Sequence, residues 1–325
     1  MSRSSSSIGP LSVGNVVSAS LRLYRDNFKT YLGIALTSSL WGLLPFLFGL
    51  LIAALIAVVV GNNTSLIPLI ILAILFWLVA TFYCAAKSLK NAALISRLAF
   101  GVLTNQPETR SVGSKNIQSK MWDFLWVQVL LALVLFVVNI GLSIIQGFTV
   151  GLLTFALGSV LGNENPLVIL ISLIGWLFFT GIYLWVYARF FIPELPLAIE
   201  NKVNSADSLN RSWSLSKGMA RQIAFIVFVA FLITLPVYLV ALVPLLLSVG
   251  AILATFSGGI LGPGGGGFNP ATTITAFIGP ILLTVLFLFA ANLATLSFWQ
   301  TIKAVIYYDL RNRKEGLDLQ IRDTV

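Results

Sequence analysis

Long apolar stretches without a single charge alternate with short polar, base-rich stretches along this chain. Residues 30–86, 124–163, 165–188 and 222–302 contain no Asp, Glu, Lys or Arg. Their apolar positions run continuously and do not alternate, which argues for helices and against the roughly 10-residue in–out strands of a membrane barrel. A helix needs about 20 apolar residues to cover a hydrocarbon core of ~30 Å. Six spans fit, near 30–59, 67–86, 124–148, 166–188, 223–250 and 276–302. Breakers mark the turns between paired spans: Gly61-Asn62-Asn63-Thr64, Gly162-Asn163-Glu164-Asn165-Pro166, and a Gly-rich run over 262–270.

A polar segment of helical periodicity precedes each pair. In the first, Val13, Val16, Val17, Leu21, Tyr24 and Phe28 recur at three- and four-residue steps, with Arg22, Arg25, Asp26 and Lys29 on the other face. This predicts an amphipathic helix with its apolar face in the membrane interface or against the bundle. The third lead, 205–221, repeats the idea: Ser205 as cap, Ala206, Leu209 and Trp213 as stripe, and Arg211, Lys217 and Arg221 around it. The second, roughly 108–122, is poorer, with Val112, Ile117, Met121 and Trp122 as its apolar members. The expected fold class is all-α. It is a polytopic membrane bundle of six transmembrane helices in three hairpin repeats, about 11–100, 101–202 and 203–318, each led by a cytoplasmic amphipathic helix. Residues 11–318 form one domain, 1–10 a Ser-rich disordered lead, and 319–325 a tail. No apolar stretch begins before residue 30, so no cleaved signal is expected.

Two runs are oversized. A straight helix over 124–161 would reach about 57 Å, nearly twice the core thickness. Gly141, Gly147, Gly151 and Gly158 offer bends, and a tilted span followed by an interfacial or re-entrant piece at 149–161 is expected. Pro236 and Pro244 predict a kink in the fifth span.

Composition agrees with a membrane class. The chain is 58% hydrophobic and only 10% charged, against roughly 45–50% and about 25% in soluble domains. Its 20 Lys and Arg all fall in four windows: up to residue 29, 87–120, 189–221 and from 303 onward. By the positive-inside bias these windows, with both termini, face the cytoplasm. The net charge of +9 then reads as topology, with Glu164 the one charge outside, and not as nucleic-acid binding. The expected home is the plasma (inner) membrane, with an internal membrane such as a thylakoid as the alternative. The basic face would attract anionic headgroups at about 1 kcal/mol per base near the surface.

Chemistry is narrowed by absence. There is no histidine and one cysteine, Cys84, which reads as a small packing residue. With no ionisable residue mid-span, the relays of pumps and the groups of an intramembrane enzyme are not expected, nor is any catalytic, metal or cofactor site. Uncharged polar residues at depth (Gln128, Asn139, Gln146, Asn292 and Gln300) have two readings: a solute path, or hydrogen bonds between helices. Gly147-Phe-Thr-Val-Gly151 suggests close helix contact. The Gly-rich 262–267 run lacks the Lys-Ser/Thr of a phosphate loop and reads as a turn. Asn62 and Asn63 match a glycosylation pattern but lie almost in the membrane. Trp122, Trp126, Trp185 and Trp299 read as interface anchors. Glu194 or Glu200 is expected to pair with Arg189, Arg211 or Arg221, and Asp309 with Arg313 at helical spacing.

Two stretches carry a resemblance. Pro193-Glu-Leu-Pro196-Leu-Ala-Ile-Glu200, followed by Ser205-Ala-Asp-Ser-Leu209-Asn-Arg211-Ser212-Trp213-Ser-Leu215-Ser-Lys217-Gly218, resembles the recurring cytoplasmic motif of a bacterial membrane family, as does Tyr307-Tyr-Asp309-Leu-Arg311-Asn-Arg313-Lys314-Glu315-Gly316. The family is the membrane module of glycerophosphoryl diester phosphodiesterase-like proteins. The resemblance implies the six-span module without its catalytic barrel, for which about 250 residues would be needed. It carries over no catalytic residue.

The expected function is therefore a non-enzymatic membrane protein that organises lipid or docks a partner protein or second copy at its basic face, through Arg22, Arg25, Lys29, Arg211, Trp213, Lys217 and Arg221. The alternative is a transporter or permease subunit for a neutral or lipidic solute, with Asn139, Gln146 and Asn292 along its path or at helix contacts.

Overall fold

The computed structural model describes residues 12–60, 67–200, 203–261 and 270–316. The Ser-rich lead 1–10, the turn at 61–65 with its glycosylation pattern, the Gly-rich 262–267 run and the tail 319–325 lie outside the described residues. In chain order the helices are α1 (Val13–Asp26), α2 (Phe28–Val60), α3 (Ile67–Leu103), α4 (Arg110–Gln118), α5 (Met121–Gln146), α6 (Leu152–Leu161), α7 (Pro166–Arg189), α8 (Glu194–Ile199), α9 (Ser205–Leu215), α10 (Ala220–Leu261) and α11 (Pro270–Glu315). No strand occurs among the described residues. Six helical stretches are long and apolar enough to cross a membrane, beginning at Phe28, Ile67, Met121, Pro166, Ala220 and Gly279. The chain is an all-α polytopic bundle, an integral membrane protein. α2 packs along α3, α10 along α11, and α11 crosses both α2 and α3.

The tight core lies at the end of the bundle that carries the bases. Leu94, Ile95, Ile117, Phe124, Ile192, Leu195, Leu197, Ile223, Ile226, Ile302, Ile306 and Tyr307 are all buried there. Along the spans, by contrast, Phe76, Phe136, Phe155, Phe178 and Leu247 face outward. Lipid tails are as apolar as leucine, so burial drives helices together only where water would otherwise touch them. α3 and α11 are long for this reason: at about 1.5 Å per residue the 46 residues of α11 reach ~69 Å, far past a single crossing.

Each lead segment is helical. α1 buries Val16, Val17, Ser20 and Leu23 and packs against α10 and α11, the second of its two expected placements, while Leu21 and Phe28 of the same apolar set stay exposed. α9 is capped by Asn204, whose Oδ1 accepts the Asp207 N–H at 2.9 Å; Ser205 instead donates to the Asp123 carbonyl at 3.2 Å. Its buried face is Ser208, Leu209, Ser212 and Leu215, leaving Ala206 and Trp213 outside it.

The piece at 149–161 does not turn back. α5 continues through a five-residue π turn, Gly147–Gly151, into α6 with helical dihedrals throughout. The two glycines of that turn bring no neighbouring helix closer. The close approach is at Gly175 of α7, where a Cβ would sit 2.5 Å from Val150 Cγ2.

Candidate functional site

α7 stops at Arg189 because Pro193 disfavours helix in the residue before it. The chain then folds under the bundle as α8, in which Glu194, Leu195, Pro196, Leu197 and Ala198 are all buried. A short buried helix leaves its last carbonyls needing donors, and cations supply them. Lys120 Nζ donates to the carbonyls of Leu197 at 3.0 Å and Glu200 at 2.7 Å, and Arg97 donates to that of Ala198. Burial pulls the Lys120 ammonium below its ordinary pKa. Arg97 is itself held by a two-pronged pair with Glu108, at 2.7 and 2.6 Å.

This anchored helix presents Glu194 to the inner end of a groove of about 540 Å³ lined by α2, α3, α5, α8 and α11. On α11 the lining residues Val285, Leu288, Phe289, Asn292, Leu296, Gln300 and Lys303 recur at three- and four-residue steps, a stripe covering about 27 Å of axial rise. The groove is graded. Leu43, Phe46, Val285, Leu288 and Phe289 make one end apolar. Its middle holds Ser39 Oγ donating to Asn292 Oδ1 at 2.9 Å and Ser38 Oγ donating to the Ser88 carbonyl at 2.7 Å. At the far end Lys303 Nζ lies 2.7 Å from Glu194 Oε1, Gln128 Nε2 lies 3.4 Å from Glu194 Oε2, and the Phe191 ring stands 5.4 Å from the same ammonium. The volume falls within the ~300–1,000 Å³ of small-molecule pockets, which are apolar with a few convergent polar groups.

Below the groove the charges form a second layer. Tyr307 donates to Glu200 Oε1 at 2.7 Å, and Arg211 joins Glu200 (3.2 Å) to Glu315, with Arg311 also on Glu315 at 2.9 Å. Burial works against the charge on Arg211, but Glu200 and Glu315 outweigh it and raise its pKa. The expected Arg211–Glu200 and Arg313–Asp309 pairs are both present, the latter at 2.7 Å. Glu194, however, pairs with Lys303 and not with Arg189, Arg211 or Arg221. Arg189 is buried, with Trp213 stacked 3.9 Å from its guanidinium and the Trp213 carbonyl accepting from it at 2.8 Å.

Of the residues proposed for lipid or partner contact, Arg22, Arg25, Lys29, Lys217 and Arg221 are exposed, Arg211 is engaged by carboxylates, and Trp213 keeps part of its surface. Of the three amides proposed for a path or helix contacts, Asn292 lines the groove. Asn139 and Gln146 lie on α5 outside its lining; Asn139 is exposed and Gln146 half-buried. The ion pair was missed because Lys303 borders a charge-free block while Glu194 stands on a short helix whose fold under the bundle only tertiary structure reveals. The stripe from Asn292 through Leu296 and Gln300 to Lys303 was the available signal. Comparison of the chain with family models, with curated proteins and with solved structures found no match in any of the three.

Proposed function

We propose that this chain is a non-enzymatic membrane protein that holds an amphipathic, lipid-like molecule in the α2–α3–α11 groove, with its basic end toward the cytoplasm of a plasma (inner) membrane. The observation that carries this is the grading of the groove, apolar over Val285, Leu288 and Phe289 and charged at Lys303 and Glu194. An amphiphile is the ligand whose own polarity is graded the same way. Exposed Arg22 and Arg25, with 71% and 82% of their side-chain surface free, add an attraction for anionic membrane surface at that end. Of the stretches that resemble the phosphodiesterase-like membrane modules, 193–200 contributes Glu194 to the groove lining and 307–316 contributes charges to the layer below it.

Moving such a molecule across the bilayer is the second reading. It is favoured by the place of Asn292 on the groove wall and by Pro45 and Pro280 inside the two lining helices, where prolines weaken the ladder and permit bending.

The test is lipid retention. Protein extracted in mild detergent and weighed intact should carry lipid adducts; Leu288→Trp, which fills the groove, should strip them, while Leu286→Trp on the outward face should not. Wild-type protein that carries no adduct, or equal retention by both variants, would remove the basis of this reading.

A further inference from the structure

Resting on that reading, we propose that the Glu194–Lys303 pair is a headgroup site selective for a zwitterionic amphiphile, one bearing a phosphate and an amine. The pair is largely shielded from water, with 8% of the Glu194 and 18% of the Lys303 side chain exposed, and it closes the polar end of the groove.

Charge complementarity fixes the choice. A buried ion pair tolerates replacement of one partner only by another group of the same sign, because a lone charge left behind loses both solvent and partner. A zwitterion satisfies this: its phosphate takes the place of Glu194 on Lys303 Nζ, and its ammonium takes the place of Lys303 on Glu194. No buried charge is orphaned and net charge is unchanged. An anionic headgroup engages Lys303 but strands the carboxylate. A headgroup without charge leaves the pair closed and gains nothing from it.

The surroundings hold both ends for such an exchange. Gln128 Nε2 approaches Glu194 Oε2 at 3.4 Å, and the Phe191 ring faces the Lys303 ammonium at 5.4 Å, an attraction that needs no anion. Lys303 and Glu194 therefore keep a fixed partner each when the pair opens. The groove's side is open at Gly42, Phe46 and Asn292, which remain exposed, so acyl chains can leave it laterally.

The experiment places wild-type protein in nanodiscs holding equal parts of acyl-matched phosphoethanolamine lipid, phosphoglycerol lipid and diacylglycerol, and measures which is retained on extraction. The phosphoethanolamine lipid should be enriched about tenfold over each of the others, the discrimination expected when a rival leaves a buried polar group unpaired. Acetylating its amine should abolish the enrichment, a test that needs no protein variant. Glu194→Gln should shift preference to the phosphoglycerol lipid, and the swap Glu194→Lys with Lys303→Glu, which keeps a pair, serves as the folding control. Lipid retained without regard to headgroup, or enrichment indifferent to amine acetylation, overturns the headgroup site while leaving the groove as a lipid site. No retained lipid at all sinks the underlying reading instead.

Discussion

Lys303 and Glu194, 109 positions apart, meet at 2.7 Å beneath the groove, one carried by α11 and the other by a six-residue helix folded under the bundle. Because Glu194 is one of the most enclosed acids of the described residues, removing its partner leaves a charge with neither water nor a counterion. Lys303→Met is therefore expected to destabilise the protein by about 3 kcal/mol, at the lower end of buried-pair losses because some of the ammonium surface remains wet. Lys303→Met combined with Glu194→Gln should recover part of that loss. Reversible unfolding in mixed micelles reads both, and equal losses in the single and double variants would contradict the pairing.

Acid sensitivity should localise to Glu108. Hydrogen bonds from Arg97 hold its carboxyl below the usual carboxylate range, against the opposing effect of burial, with the Arg97 charge and Asn116 also favouring the ionised form. A depressed folded-state pKa means that the pair's stabilisation is present above the unfolded value near 4.5 and is lost as pH falls through the folded value. Glu108→Gln should cost about 1 kcal/mol at pH 7, discounted for partial exposure, and flatten the acid limb of the melting curve below pH 5. An unchanged acid limb would place the sensitivity elsewhere.

The six spans were legible because length and apolarity are properties of a segment, readable without knowing its neighbours. The Arg313–Asp309 pair was legible too, since four residues on a helix are one turn. The groove was not. α2 is apolar nearly all round and α11 offers only the sparse stripe of Asn292, Gln300 and Lys303, so their own pattern barely says which face meets a partner and which meets lipid. The fate of α9 was hidden for a related reason: Trp213 looks like a stripe residue until Arg189 from another helix stacks on it. Burial of charge at Glu194 needed knowledge that α8 folds under the bundle, a tertiary fact that its two prolines only hint at.

The contact between α7 and the π turn depends on the absence of a side chain at Gly175. A methyl there would lie 2.5 Å from Val150 Cγ2 and 2.6 Å from Cγ1. Gly175→Ala should therefore destabilise by about 1–3 kcal/mol, the range of an overpacked site. Adding Val150→Ala removes both clashing methyls, and the double variant should recover most of the loss. A tolerated Gly175→Ala would mean the helices part freely here.

Arg189 should resist conservative exchange. Its guanidinium stacks on Trp213, faces Trp185 at 5.7 Å and donates to the Trp213 carbonyl, a combination of plane and fork that an ammonium lacks. Arg189→Lys is expected to lose about 1–2 kcal/mol despite keeping the charge. It should also quench less of the Trp213 fluorescence. A melting temperature equal to wild type would reduce the stack to incidental contact.

The proposed orientation of the bundle rests on where the bases stand, and labelling two described positions tests it. Glu164 sits in the exposed turn between α6 and α7, and Lys115 is exposed on α4 among the bases. After Cys84 is replaced by Ser, Glu164→Cys should react with a membrane-impermeant maleimide in intact cells, whereas Lys115→Cys should react only after the cells are opened. Positive charge tends to be retained on the cytoplasmic side, and on the proposed orientation all 20 bases lie there with Glu164 the one acid opposite. Labelling of Lys115→Cys in intact cells would invert the bundle, carry the Glu194–Lys303 end of the groove to the outer leaflet, and remove the argument for anionic cytoplasmic lipid at Arg22 and Arg25.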